Sequence, residues 1–441
     1  MSNILANNIN PRSGTSIDVG GALQVGSATT IHTTGIDLGS GNIQSHNINS
    51  VGVITARNGL DVSGITTVTG AVSVNGNNYP SSGFFSYRNL VINGAMEVAQ
   101  RGTSGTTNGT YNCVDRISRN VSGVTGTVTD SQQALTSGDP YDEGFRSFFR
   151  VATIDPSTVS VHSYLTIKYK FEAGDIACSG WKYTDPNSYV TLSFWVRASV
   201  TQDYGFGMQT HDGSSYVYNK KFGLVAGTWK KITQKVPGNA NISFNNDSGH
   251  GMTIDWYPFL GGTFNNATDD SWALASTNKF ADNIGTSWWT SADATFDITG
   301  VQLEVGDVAT PFEHKPYPEE VTRCQRYFQK IYYNIHSYPL GFGYVYGTTS
   351  VAATVALATS LRTTSPTVTE NNLVIRGFAQ DGNNTSVTIT TVNSAQTQLG
   401  HTMLQMDFTT GTIATAAIGA ACVIANNASN STSNLTVDAE L

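Results

Sequence analysis

The sequence predicts a mostly β protein of several domains, and three observations predict it. Only 13% of the 441 residues are Asp, Glu, Lys or Arg, about half the usual ~25%. Polarity comes instead from Ser, Thr, Asn and 44 glycines; Thr and Val favour strands, Gly and Asn favour turns. Apolar residues alternate with period two over several stretches, with no strand–helix–strand rhythm between them. Aromatics at 10% set the chain apart from disordered sequences, and its length implies two to four domains.

Residues 1–83 read as a short fibrous β-repeat shaft and attachment region. Residues 1–80 carry no Trp or Phe and almost no charge, and a loose repeat runs through them: Ile17-Asp-Val-Gly20, Ile36-Asp-Leu-Gly39, Leu60-Asp-Val-Ser63. Short alternations such as Ile65–Val68 and Val72-Ser-Val74 lie close by. Strands this short bury too little apolar surface to offset chain ordering. They become stable by stacking or by winding with identical chains, so a homotrimer is the natural completion; a flexible linker is the other reading. Asn75–Gly83 is a turn-rich boundary.

Residues 84–317 read as an antiparallel β-sandwich or jelly roll. Leu165, Ile167, Tyr169 and Phe171 alternate with Thr166, Lys168 and Lys170, and Val190, Leu192, Phe194 and Val196 with Thr191, Ser193, Trp195 and Arg197. Each pattern predicts one buried and one wetter face. Further strands are expected at 145–153, 229–236, 252–257 and 296–305, the last changing parity at Gly300, which marks a bulge. A connecting helix is expected within 318–335: Pro318 suits a first turn, Glu319 and Glu320 sit where the helix dipole favours anions. Val321, Cys324, Tyr327, Phe328 and Ile331 make an apolar stripe over about 14 residues. Residues 336–441 read as a small C-terminal β tip domain fit to pack around a threefold axis, with strands near 351–361, 387–391, 403–408 and 418–425.

The formal net charge is −8 with no Lys/Arg run, so nucleic acid is excluded as a partner. Lys220–Lys221 with Lys230–Lys231 reads as a solvated strand face. Cys113, Cys178, Cys324 and Cys422 lie far apart without a CxxC pair, and read as buried thiols. No signal peptide is visible and no apolar run reaches the ~18 residues of a membrane helix. A soluble product made in the cytosol and released inside a virion by lysis fits that pattern.

No GxSxG, HExxH or P-loop occurs, and no cofactor is implied. The neighbouring carboxylates Asp142–Glu143, Asp269–Asp270 and Glu319–Glu320 are poor glycosidase pairs: adjacent strand residues point to opposite faces, and Glu319–Glu320 suit a helix start. We expect no enzyme and no metal site. The weaker metal candidates are Asn245, Asn246 and Asp247, or Asp269 and Asp270, for calcium, and His32 or His46 on a threefold axis.

Arg88-Asn-Leu-Val-Ile-Asn-Gly-Ala-Met96 with Gln100-Arg-Gly102 resembles the opening of carbohydrate-binding-like modules in phage tail fibres. Asp115-Arg-Ile117 is similar to the next landmark, where an aromatic is more usual than Ile117. Leu192–Arg197, Ala226–Lys230, Phe296–Gly306, Ala309–Glu313 and Cys324–Lys330 extend the match over about 88–331. The N-terminal repeats resemble fibre proteins of phages infecting marine bacteria. The resemblance implies a jelly-roll module in a trimeric virion fibre, attached to other virion proteins through the N-terminal region, with host-surface polysaccharide or lipopolysaccharide as ligand. The rivals are a purely structural head-fibre or tail-adaptor protein and a glycan depolymerase.

Flat aromatic rings meet the CH face of a pyranose while amides and carboxylates meet its hydroxyls. All seven tryptophans fall between 181 and 289. Trp195, Trp229 and Trp256 sit in expected strands and read as core. Trp181 and Tyr183, in a turn-rich stretch, and Trp288 and Trp289, after Gly285, are the expected glycan-binding residues.

Overall fold

The computed structural model describes residues 87–441 apart from 156–157, 276–279, 333–338, 378–385, 399, 414–416 and 428–432, together with the backbone of two paired strands at 72–74 and 77–79. The expected shaft repeats, with His32 and His46, lie outside the described residues. β1 (Val72–Val74) pairs antiparallel with β2 (Asn77–Tyr79), so part of the expected turn-rich boundary is a return strand.

Along the chain follow β3 (Ser104–Gly105), β4 (Ile117–Ser122), β5 (Val128–Ala134), β6 (Ser147–Thr153), β7 (Tyr164–Glu172) and β8 (Tyr189–Ala198). Next come β9 (Gln202–Thr210), β10 (Tyr216–Leu224), β11 (Lys230–Pro237), β12 (His250–Leu260), β13 (Trp272–Leu274) and β14 (Thr295–Val305). Short helices α1 (Asp139–Asp142), α2 (Ala173–Ala177) and α3 (Ser287–Thr290) lie between strands. Two six-stranded antiparallel sheets result, ordered β13-β10-β9-β12-β7-β4 and β11-β8-β14-β6-β5-β3. The fold is thus mostly β, with a β-sandwich of the jelly-roll type.

The period-two patterns set the core. Leu165, Ile167, Tyr169 and Phe171 of β7 and Val190, Leu192, Phe194 and Val196 of β8 are buried together. Phe296 and Ile298, then Val301 and Leu303, join them from β14 across a register shift between Thr299 and Gln302. Gly300 there has φ +62°, and a Cβ on it would stand 2.7 Å from the Phe145 ring. The expected bulge is present, and only glycine fits it.

The expectation of a wetter outer face fails on the central strands β8 and β14. Thr191, Ser193, Trp195, Asp297, Thr299, Gln302 and Glu304 are all buried. The stretch after β14 and the end of α1 meet them: Thr310 N donates to Glu304 Oε1 at 2.8 Å, Glu313 N to Gln302 Oε1 at 2.8 Å, and Trp195 Nε1 to Glu143 Oε2 at 3.1 Å. Buried polar groups need partners, and they have them. Arg150 and Arg197 both hold Asp297, while Glu304 accepts from Gln302 and Thr310.

The connecting helix is shorter than expected. After Pro316, α4 (Tyr317–Gln325) ends within nine residues. Residues 328–331 leave the helix because their backbone joins a sheet: β15 (Phe328–Ile331) pairs with the last strand of the chain. Val321 and Cys324 pack on Ile92, Val98 and Tyr327, and the buried Glu320 carboxylate accepts the Asn93 N–H.

The C-terminal region continues with β16 (Pro339–Gly347), β17 (Ser350–Ala356), β18 (Thr367–Asn371), β19 (Leu373–Arg376), β20 (Ser386–Gln396), β21 (Met403–Thr410), β22 (Ala421–Asn426) and β23 (Asn434–Asp438). A closed barrel, β16-β17-β21-β20-β19-β22, encloses its own core around Val345, Leu404, Met406, Phe408 and Ile424. The sheet β15-β23-β18 stands beside it. Residues after β23 return to the sandwich: Glu440 pairs with the fully buried Arg116, whose guanidinium lies 3.4 Å over the Tyr327 ring.

Three cysteines are buried as expected, but Cys178 is exposed. It caps α2 in the turn ahead of Trp181, where its thiol reaches Asn246 Oδ1 at 3.5 Å. Among the described residues, no helix is long and apolar enough to cross a membrane.

Candidate functional site

The structure buries Trp181, Trp288 and Trp289 of the expected glycan-binding residues and leaves Tyr183 half-buried. Trp288 and Trp289 are fully buried. Their short helix α3 folds back into the sandwich, where Trp288 stacks on Phe259 at 6.5 Å and Trp289 tilts against it at 5.1 Å. Trp288 Nε1 donates to Thr295 O at 2.9 Å, so even its polar tip is satisfied internally. Trp181 is 3% exposed and donates to Ser188 O. Tyr183 is half-buried, edge-on to Phe244 at 5.0 Å. The loops are polar in composition, yet their large apolar side chains gain more by burial. Trp256 and Trp195 are buried as expected, and Trp229 packs in a satellite cluster with Phe148.

The weaker metal candidates are tied up internally. Asn245 donates twice to Asp212, and Asp247 accepts from Gly249 N. Asp269 and Asp270 both face Lys220. Burial raises the Asp270 carboxyl, but hydrogen bonds from Lys220 and Tyr218 outweigh it and hold the group below the usual carboxylate range. Among the described residues, no three His, Cys, Asp or Glu side chains converge.

A groove does form on the outer face of the sheet that contains β7. Alternation along β7 turns Tyr164, Thr166 and Lys168 outward. Register places Asn120 of β4 opposite Thr166, and Asp255 of β12 opposite Lys168. Past β12 the chain turns through Gly262–Phe264 and folds back, so Phe264 and Phe280 form a wall beside Tyr164. Tyr164 meets Phe264 edge-on at 5.4 Å, and Phe264 meets Phe280 at 5.5 Å. The enclosed space is about 490 Å³, with His162 and Thr263 at its margin. A groove of this size, apolar on one side with a few convergent polar groups, is a common form of small-molecule site.

Asp255 lies at the floor, 2% exposed, with Lys168 Nζ at 2.8 Å. Burial raises its carboxyl above the ordinary range, and the Lys168 charge opposes that. Among the described residues it is the single carboxylate lining the groove, so the two-carboxylate arrangement of glycoside hydrolysis is not assembled by them. In the same cross-strand row lie Gly207 and then Asn219, whose amide is 1% exposed with no hydrogen-bond partner. A Cβ on Gly207 would come 2.4 Å from the Tyr257 hydroxyl, so glycine there lets that ring lie flat on the sheet.

At the far end of this face, His211 and His250 stack at 3.8 Å and share the Thr253 hydroxyl at 2.9 and 2.7 Å. Burial, then nearby positive charge, lowers His211 to about 4. Burial and its neighbour lower His250 to about 3. Both rings are neutral at pH 7.

Sequence reasoning missed Asn120, Tyr164, Thr166, Lys168, Asp255, Phe264 and Phe280 as a group. The outward parity of β7 carried part of the signal. The pairing that brings Asp255 beside Lys168, and the fold-back that adds two phenylalanines, are long-range and leave no local pattern.

Sandwich and groove together define the class: a jelly-roll protein with a polar and aromatic cleft on one sheet, joined to a small closed barrel. No protein-family model matches the chain, and no curated protein matches it. Among solved structures, it is similar to the enzymatically active domain of tailspike protein 4 from bacteriophage CBA120, at 12% identity and TM-score 0.27. That overlap covers 52% of this chain and 24% of the tailspike, so the chain spans about a quarter of its length. It is also similar to a CBM4 structure, at 13% identity and TM-score 0.25, covering 48% of this chain and 97% of that one. A family 11 carbohydrate-binding module from Clostridium thermocellum, in complex with a β-1,3-1,4-mixed-linked tetrasaccharide, overlaps 48% of this chain and 98% of its own, at 11% identity and TM-score 0.21.

Proposed function

We propose that this chain is a non-enzymatic fibre protein of a virus particle, trimeric through its N-terminal repeats, that binds a host-surface glycan in the groove of its sandwich. The observation that carries the glycan reading is the groove itself. Tyr164, Phe264 and Phe280 supply an apolar wall for the CH face of a sugar ring, and Asn120, Thr166, Lys168 and Asp255 supply donors and acceptors for its hydroxyls. The ion pair of half-exposed Lys168 with buried Asp255 fixes the floor before a ligand arrives, which reduces the ordering cost of binding. Binding at one groove is weak, and three copies on one fibre make it useful by avidity. The fibre reading rests on the motif resemblance over 88–331 and on the apolar poverty of residues 1–80.

The test is a glycan array on the full chain, with Tyr164→Ala/Phe264→Ala as the control. We expect binding to one glycan class, weakened roughly tenfold or more in the double variant through lost ring contact. A wild-type chain that binds no glycan at millimolar concentration sinks the reading in favour of a purely structural component. Shortened polysaccharide chains after incubation would establish a depolymerase instead. Sedimentation of the full chain as a 47 kDa species would remove the trimer.

A further inference from the structure

Strand β16 reads Pro339-Leu-Gly-Phe-Gly-Tyr-Val-Tyr-Gly347. Phe342, Tyr344 and Tyr346, all of one parity, face away from the barrel and are 66%, 54% and 47% exposed. Val345, of the other parity, is fully buried. Space fixes that parity. A Cβ on Gly343 would stand 2.2 Å from the Ala352 carbonyl oxygen, and one on Gly341 would stand 2.4 Å from that of Thr354. A slip by one residue would drive an aromatic ring into positions that do not admit a methyl group, so the rings are held outside.

Their cross-strand neighbours are small. Thr354 and Val423 lie opposite Phe342, and Ala352 and Ala421 opposite Tyr344. None of these is charged. The rings therefore form a ridge above the surrounding wall, with Tyr344 and Tyr346 centred 6.2 Å apart. Singly scattered exposed apolar residues are ordinary on a protein surface, but a contiguous set marks a contact.

The size of the ridge selects the occupant. Three rings of ~150–250 Å² each, about half exposed, offer on the order of 200–400 Å². A stable protein partner takes ~800 Å² per side, so the ridge is too small for a second copy of this chain. Alternate residues on a strand lie roughly 6.6–6.8 Å apart, and the Tyr344 and Tyr346 rings are tilted 55° to each other, so the ridge offers separate ring faces. Each can meet the CH face of one sugar unit, with the two phenol hydroxyls at the rim to hydrogen-bond. One strand further out in the same rows stand Asp407 and Arg376, of opposite sign, so the face carries no net charge to draw an acidic polymer.

We propose that Phe342, Tyr344 and Tyr346 on β16 form a second saccharide-binding surface, separate from the sandwich groove, that takes a neutral polysaccharide laid along the strand. The test is affinity electrophoresis of the full chain in gels carrying mixed-linked β-1,3-1,4-glucan, xylan or β-1,4-galactan. The wild type is run beside Phe342→Ser/Tyr344→Ser/Tyr346→Ser, the groove variant Tyr164→Ala/Phe264→Ala, and their combination. We expect the β16 variant to need roughly tenfold more polymer for the same retardation, with an unchanged melting curve, because its residues are exposed. The groove variant should keep the retardation that depends on β16, and the combination should lose it. Equal retardation of wild type and β16 variant in every gel overturns the proposal, as does a wild type retarded in none. A β16 variant that sediments as a smaller assembly than wild type also overturns it, by giving the ridge to a second copy.

Discussion

His211 and His250 hold one hydroxyl between two neutral rings, and this sets a pH dependence. The unfolded chain takes up protons on both near 6.5, while the folded pair stays neutral down to about 4 and about 3. The unfolded state therefore binds more protons in that window, and the pair's contribution to stability falls as pH drops from about 6.5 to 4. The Asp115 carboxyl, raised by burial to about 6, acts with the opposite sign between 6 and 3.8. The pair is isolated by comparison: His211→Gln/His250→Gln should lose less stability than wild type between pH 6.5 and 4 in urea titrations. Equal losses would mean that the rings titrate normally. Trp288 makes a separate test at this scale. Trp288→Ala should cost about 3–5 kcal/mol by urea unfolding and leave glycan binding intact. A stable variant that loses binding would return the ring to the ligand site.

At the scale of elements, what the sequence declares is what short-range patterning controls. β6, β7, β8, β11, β12 and β14 all lie where period-two alternation puts them, because each carries alternate apolar residues into one core, with a change of parity at the register shifts in β12 and β14. Gly300 announces its bulge because no other residue takes φ +62° against the Phe145 ring. Gly300→Ala should cost about 1–3 kcal/mol, measured as a lower urea midpoint at unchanged m-value. β9 and β10 were missed: Gly205, Gly207, Lys220 and Lys221 blur their alternation. The helix was overextended because Tyr327, Phe328 and Ile331 fit its stripe, while the partner that claims 328–331 lies beyond residue 430. The groove was illegible for the same reason, since it is made by pairing between distant strands. The tryptophans misled because a polar loop conceals whether its rings turn inward.

At the scale of the whole molecule, the chain after β23 ties barrel region to sandwich. Arg101 and Arg116 hold Glu440, Tyr111 and Lys170 donate to the Leu441 carbonyl, and Arg362 donates to the carbonyls of Ala439 and Glu440. Arg116 is 1% exposed, and removing its partner leaves a buried charge uncompensated. Glu440→Ala should cost about 3–5 kcal/mol and split calorimetric melting into two transitions, one for each core. A single transition at the wild-type temperature would show that the tie contributes nothing.

The paired strands β15 and β23 have one more consequence. The chain departs at Ile331 and comes back at Leu435, its direct neighbour across the ladder. Among the described residues, the chain between returns to that doorway through β18, which pairs with β23, and is steadied by the Arg362 tether. That cassette could be exchanged, in length and in sequence, while the doorframe and the room behind it stay as they were.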